Sequence, residues 1–128
     1  MKPRFLEFDE VLRIHRDQIE RYGGTAGIRD SALLRSALAM PRARTAGEYL
    51  HTDQIEMAAA YLFHIVKNHP FVDGNKRVGA VAALVFLDLN GIDVHISDED
   101  LFDIIMSVAK GETSKSGVAE FLRDRLRS

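Results

Sequence analysis

The run Val78-Gly79-Ala80-Val81-Ala82-Ala83-Leu84-Val85-Phe86-Leu87 carries no charged or hydrogen-bonding side chain. A helix that is apolar on every side belongs in an interior, and small residues let neighbouring helices approach it closely. The run is about half as long as a membrane-spanning helix, which needs roughly 20 apolar residues. It therefore predicts a buried central helix, closed by Asn90-Gly91 in the way Gly and Asn commonly end helices.

That helix starts inside a polar loop, His69-Pro70-Phe71-Val72-Asp73-Gly74-Asn75-Lys76-Arg77. The segment before the loop has an apolar stripe at Ile55, Ala58, Ala59, Leu62, Phe63 and Val66, and opens with Asp53 and Glu56 in the spacing of a capping box, Asp taking the Ser/Thr place. Arg42 to His51 lacks a sustained helical period and contains Gly47; an exposed loop or flap is expected there. Leu33, Leu34, Ala37 and Leu38 mark a helix that begins near Asp30 and ends before Pro41, since proline disfavours helical geometry in the residue ahead of it. Val11, Leu12, His15, Ile19 and Tyr22 mark the first helix, with Asp9 as its N-cap and Gly23-Gly24 as its stop.

Beyond the central helix, Ile92, Val94 and Ile96 alternate with polar residues, but so short an alternation cannot make a sheet alone and predicts an extended connector. Ser97 caps a helix with Leu101, Ile104, Ile105 and Val108 inside, ended by Gly111; a last helix from about Ser116 carries Val118, Phe121, Leu122 and Leu126. The expectation is an all-α fold: one domain over residues 1–128, a compact bundle of about six helices around the buried one.

Composition narrows the function. A chain of 128 residues can bury roughly two thirds of the surface that its unfolded form exposes, so it needs no disulfide or structural metal. Cysteine is absent, which excludes a thiol nucleophile and a Cys-ligated metal. A formal net charge of −2 argues against DNA binding driven by phosphate neutralisation. The N-terminal residues have a charge within their apolar run and no small-residue cleavage site, unlike a secretory signal. A soluble cytoplasmic protein is expected, with no direct nucleic-acid or membrane partner.

The loop from His69 to Arg77 holds the chemistry. Asn75, Lys76 and Arg77 fall in the first turn of the buried helix, where free N–H groups and the positive end of the dipole favour an anion. Gly74 allows close approach of a phosphate to the backbone and can take positive φ. Lys76 and Arg77 add a mobile and a forked positive charge. Asp73 is a hard oxygen ligand of the kind Mg2+ takes alongside substrate phosphates. His69, four residues earlier, can accept a proton from an attacking hydroxyl when its ring is neutral. Phe71 is expected to pin the loop to the core. Singly, each residue has an ordinary structural explanation, such as a turn, a helix end or a solvated charge; together they describe a nucleotide site with a base beside it.

These residues resemble the Fic motif, His-x-Phe-x-Asp/Glu-Gly/Ala-Asn-Gly/Lys-Arg, of enzymes that transfer parts of nucleotides to protein hydroxyls. Tyr22-Gly23-Gly24, Gly27-Ile28 and the apolar helix ending at Asn90-Gly91 are similar to the death-on-curing (Doc) branch of the Fic/Doc family. The resemblance implies that His69 is the general base, that Asp73 holds Mg2+ on the nucleotide phosphates, that Asn75 and the Gly74 backbone form the phosphate nest, and that Arg77 touches phosphate oxygens. Two positions depart from the AMP-transferring pattern: Lys76 stands in place of Gly, and Ala80 in place of a second arginine. The Doc branch shares both departures. It is known as a kinase that holds ATP reversed, with the γ-phosphate near the histidine.

By that resemblance the chain is expected to phosphorylate a protein hydroxyl, a threonine of elongation factor Tu, using ATP and Mg2+, and so to arrest translation. An AMP-transferase that tolerates Lys76 and an inert Fic-like binding module are the alternatives. The family's flap, matching Arg42, Arg44 and Tyr49, lines up the target peptide. Thr52 to Glu56 and Ser116 to Glu120 loosely match the family's inhibitory Ser/Thr-x-x-x-Glu-Gly/Asn, but Met57 and Phe121 spoil the last position. A separate antitoxin, whose disordered segment folds on binding, is therefore expected. Lys67 reads as a helix C-terminal cation. His64 and His69 are five apart, the wrong spacing for two metal ligands on one helical face; His15, His51 and His95 have no partner legible in the sequence.

Overall fold

A computed structural model describes residues 2–127. Six helices follow in order: α1 (Phe8–Tyr22), α2 (Ser31–Ala39), α3 (Gln54–Asn68), α4 (Asn75–Leu89), α5 (Asp98–Ala109) and α6 (Lys115–Arg123). Between α2 and α3 lie β1 (Arg44–Thr45) and β2 (Glu48–Tyr49), an antiparallel pair with Arg44 opposite Tyr49 and Thr45 opposite Glu48. The fold is all-α apart from this small hairpin. Among the described residues no helix is long and apolar enough to cross a membrane.

The expected central helix is α4. Val78, Gly79, Ala80, Ala82, Ala83, Phe86 and Leu87 are buried in it, while Val81, Leu84 and Val85 are partly covered. It shares the centre with α3, its most extensive partner; α3 also packs on α2, α5 and α6, and α4 on α1 and α5. Gly79 explains how closely α3 and α4 approach, because a Cβ there would stand 2.8 Å from Val66 Cγ2 and 3.2 Å from the Leu62 carbonyl. Around this seam Tyr61, Phe71, Phe86, Met57 and Leu34 are fully buried. The Tyr61 hydroxyl donates no charge to the core: it accepts the Leu6 N–H at 2.9 Å, and burial pushes its pKa up to about 12.

Local signals account for most boundaries. Asp30, Asp53, Ser97 and Ser114 each accept a first-turn N–H as N-caps, meeting donors that a helix start leaves unpaired. Four details depart from the sequence expectation, and one is at the C-terminal end: α6 stops at Arg123, so Leu126 lies beyond the last helix, not in it. Glu7 rather than Asp9 caps α1, because Glu10 reaches back to the Glu7 N–H at 2.9 Å and leaves Asp9 inside the first turn. Only half of the expected box forms at α3: Asp53 accepts the Glu56 N–H at 2.8 Å, but the Glu56 carboxylate turns to the Thr52 hydroxyl at 3.1 Å. The flap is folded, not irregular, and β1 and β2 are its stems. The extended connector after α4 is as expected, and Val94 pairs with Leu126 in an isolated bridge.

Candidate active site

Between α3 and α4 the chain must turn sharply, and the loop's own side chains make that turn stable. Asn75 is buried; its Oδ1 accepts the Phe71 N–H at 2.9 Å and its Nδ2 donates to the Phe71 carbonyl at 3.0 Å. The amide thus clips the loop onto the start of α4. Phe71 fills the core below, fully buried as expected, and the His15 ring of α1 stacks on it at 3.9 Å with only 5° between planes. His15 Nε2 donates to the Asp73 carbonyl at 2.9 Å. A carbonyl only accepts, so this bond fixes the tautomer with the proton on Nε2.

Asp73 lies on the surface with its carboxylate held at two points. Oδ1 accepts the Gly74 N–H at 2.8 Å and Oδ2 the Thr25 N–H at 3.1 Å. These two backbone bonds, with Arg77 and His15 nearby, hold its pKa below the ordinary carboxylate value. Gly24 makes this possible: its φ is +118°, and a Cβ there would come within 2.6 Å of Asp73 Oδ2. Each carboxylate oxygen keeps a further lone pair for a cation. Among the described residues no group of three or more His, Asp or Glu side chains could hold a metal. One ionised carboxylate is a donor set that suits Mg2+ only when substrate phosphates complete the shell.

Gly74, at φ +82° and ψ 11°, is the N-cap of α4, so the N–H groups of Asn75, Lys76 and Arg77 occupy a first turn that has no carbonyl to offer them. Lys76 is exposed beside them. Arg77 turns back: Nη1 donates to the Gln18 carbonyl at 3.2 Å and Nη2 to the Gly23 carbonyl at 3.0 Å. Its fork ties the end of α1 to α4 and retains other N–H donors. Ala80, where the AMP-transferring pattern has a second arginine, is buried and lines a groove with Tyr22, Val81, Leu101 and Phe102.

His69 ends α3. It is exposed, and as the helix C-cap it adopts left-handed geometry, φ 51° and ψ 53°. Glycine takes that conformation freely, whereas other residues hold it at a cost of roughly 1–3 kcal/mol and only where the surroundings over-determine it. Those surroundings are the segment from Gly27 to Asp30, which runs antiparallel to the loop. Ile28 pairs with Phe71, Val72 N–H donates to the Gly27 carbonyl at 3.0 Å, and the N–H groups of Arg29 and Asp30 both donate to the Pro70 carbonyl, at 2.7 and 3.0 Å. The structure thus brings His69, Asp73, Gly74, Asn75, Lys76 and Arg77 onto one loop and helix start, with Asn75 and Arg77 bonding the protein's own backbone.

Sequence reasoning missed His15 and Arg29. His15 was legible as one point of an apolar stripe, yet its contact with Phe71 joins segments far apart in the chain. Arg29 looks like any surface cation. The two loose inhibitory matches meet elsewhere: Glu56, Ser116 and Glu120 line one cavity of about 270 Å3 between α3 and α6. At 1.5 Å per residue, Glu56 lies about 20 Å along α3 from His69.

Comparison with known proteins agrees with this architecture. The family model described as Fic/DOC family matches residues 5–87, which include the whole loop. Protein kinase doc of Escherichia phage P1 is 38% identical over 120 residues, covering 94% of each chain. Toxin Doc of Mycolicibacterium smegmatis is 40% identical over 73 residues, 57% of this chain and 56% of the relative. With more than half of its length matched by the family model, and its loop carrying every constrained position of the motif, the chain belongs to the Fic/DOC family.

Proposed function

We propose that the protein is a Doc-type toxin kinase, which transfers the γ-phosphate of ATP to a hydroxyl of a protein substrate. The observation that carries this reading is the combination on one loop of an exposed histidine, a carboxylate with a depressed pKa, and an open helix N-terminus flanked by Lys76. A relative named as a protein kinase, similar over nearly the whole chain, supports it.

In this mechanism the first-turn N–H groups of α4 and the Lys76 ammonium take the nucleotide's phosphate oxygens. Asp73 would hold Mg2+, which when bound would neutralise charge on the nucleotide phosphates. His69 accepts the proton as the substrate hydroxyl oxygen bonds to the γ-phosphorus. The bond from that phosphorus to the β–γ bridging oxygen breaks, and ADP leaves. Little covalent work falls to the protein, so positioning and electrostatics carry the rate.

The substrate suggested by the family is a threonine of elongation factor Tu, whose phosphorylation would arrest translation. An antitoxin with a segment that folds on binding would restrain the enzyme in the cytoplasm. AMP transfer is the second reading, disfavoured by Lys76 and by Ala80, which stands where that chemistry's pattern has a second phosphate-binding arginine. Elongation factor Tu, Mg2+ and ATP labelled at the α or the γ phosphorus distinguish the readings. Label from the γ position alone is expected; label from the α position would overturn kinase chemistry, and no transfer to any lysate protein would overturn enzymatic function.

A further inference from the structure

We propose that Arg29 is a positioning residue for His69, acting on its backbone rather than on its ring. The inference rests on the role of His69 as the base. Three consecutive carbonyls at the end of α3 are held by Arg29 and its neighbour. Along one edge of the guanidinium, Nε donates to the His69 carbonyl at 2.7 Å and Nη2 to the Asn68 carbonyl at 3.0 Å. The backbone N–H groups of Arg29 and Asp30 take the Pro70 carbonyl at 2.7 and 3.0 Å.

Two parallel N–H groups in a fixed plane suit two neighbouring acceptors, a task that the single point charge of lysine performs poorly. Among the described residues no carboxylate pairs with Arg29. A surface arginine committed to two neutral carbonyls holds them in place, and the residue so held is the one with φ 51°. Rotation of the peptide units on either side of His69 swings the Cα–Cβ bond, and with it the imidazole. Without the Arg29 side chain the Asn68 and His69 carbonyls lose their donors, while the Pro70 carbonyl stays held by backbone N–H groups; the peptide units beside His69 can then rotate out of the left-handed region, and the ring moves away from the attacking hydroxyl.

Asp73, Lys76 and the first turn of α4 make none of these bonds. Loss of Arg29 should therefore impair turnover and spare nucleotide binding. A general stabilising role for the residue would impair both.

The test compares full-length wild type, Arg29→Ala, Arg29→Lys and His69→Ala with γ-labelled ATP, Mg2+ and elongation factor Tu, and reads the His69 carbonyl and Cα chemical shifts by NMR in 13C-labelled protein. For Arg29→Ala the expected results are a kcat lower by about 10- to 100-fold, a KM for ATP within about twofold of wild type, and His69 shifts that leave the left-handed range. Arg29→Lys should fall between the two, and methylguanidinium added to Arg29→Ala should recover part of kcat. Unchanged His69 shifts in Arg29→Ala overturn the proposal whatever the activity. So does a kcat loss matched by a rise in KM for ATP and a fall in melting temperature. Survival of activity in His69→Ala would instead overturn the base assignment, and the NMR result would still decide whether Arg29 sets the His69 backbone.

Discussion

His64 and His69 are five residues apart on and just beyond one helix, yet the fold gives them opposite chemistry. His69 sits past the end of α3, exposed, with its backbone clamped and its ring unencumbered by burial. His64 faces α6, half-buried, and its Nε2 accepts the Lys115 Nζ at 3.1 Å. Burial, helped by the Lys115 charge and His51, pushes the His64 pKa down to about 4. His51, buried beside the same cavity, is also lowered, first by burial. At the loop the imidazole stays open to solvent, whereas at the α3–α6 seam it packs as a neutral ring until the pH falls toward 4. The deciding variable is what covers the ring; sequence spacing records only that the two cannot share a helical face.

The sharpest way to break this contrast is to delete each ring in turn. His69→Ala should lower phosphate transfer by about 10^2- to 10^4-fold, the usual contribution of a general base, with a melting temperature close to wild type because the residue is exposed. Equal transfer rates in His69→Ala and wild type would move the base elsewhere. His64→Gln should do the reverse, with transfer near wild type and an altered response of stability to pH.

Asn75 tests whether the loop's rigidity belongs to the site or merely to the fold. Asn75→Ala strands the Phe71 N–H and carbonyl in a buried position, and each orphaned group costs about 1–3 kcal/mol. A loss of about 3 kcal/mol in denaturant unfolding is expected, together with weaker transfer. Less than about 1 kcal/mol would mean that water replaces the amide.

The same residue shows what the sequence makes legible. Helix order, most caps and the functional loop follow from local patterns: Asp53 and Ser97 before apolar stripes, Gly74 before a helix, and nine loop residues with an unusual mixture of charges. The task of Asn75 does not follow, because an amide at a helix start can serve a ligand or its own backbone equally well. Arg77 is similar: its forked charge is visible in the sequence, but the Gln18 and Gly23 carbonyls it binds belong to α1 and its C-cap. His15 and Arg29 were silent for one reason. Their partners lie roughly 40 to 60 positions away, at Asp73, Asn68 and His69, and no local period encodes such pairs.

Gly79 probes the helix seam on which both histidines depend. In Gly79→Ala the new Cβ meets Val66 Cγ2 at 2.8 Å and the Leu62 carbonyl at 3.2 Å, so α3 must shift or Val66 must rotate. Overpacking of this size costs about 1–3 kcal/mol. Adding Val66→Ala should recover part of that loss, since it removes the nearer contact and leaves the backbone oxygen. Full recovery would assign the whole clash to the side chain.

The smallest effect expected is also the one that defines the seam. The His64 pKa is depressed in the folded protein, to about 4 from an ordinary 6.5, so the unfolded chain binds this proton more readily than the native one. The corresponding stability is fully present above about pH 6.5 and is lost as pH falls toward 4. Because the ring is only half-buried, solvent screening reduces the effect to about 1 kcal/mol. His51 adds in the same direction, while Glu56 on α3 favours its protonated form and Lys115 on α6 opposes it. Difference measurements in urea at pH 4, 5.5 and 7 separate this contribution from the carboxylates common to both proteins. Wild type should lose about 1 kcal/mol more than His64→Gln between pH 7 and pH 4. Parallel curves for the two proteins would mean that the His64 ring takes up its proton in place, and that Lys115 moves aside to let it.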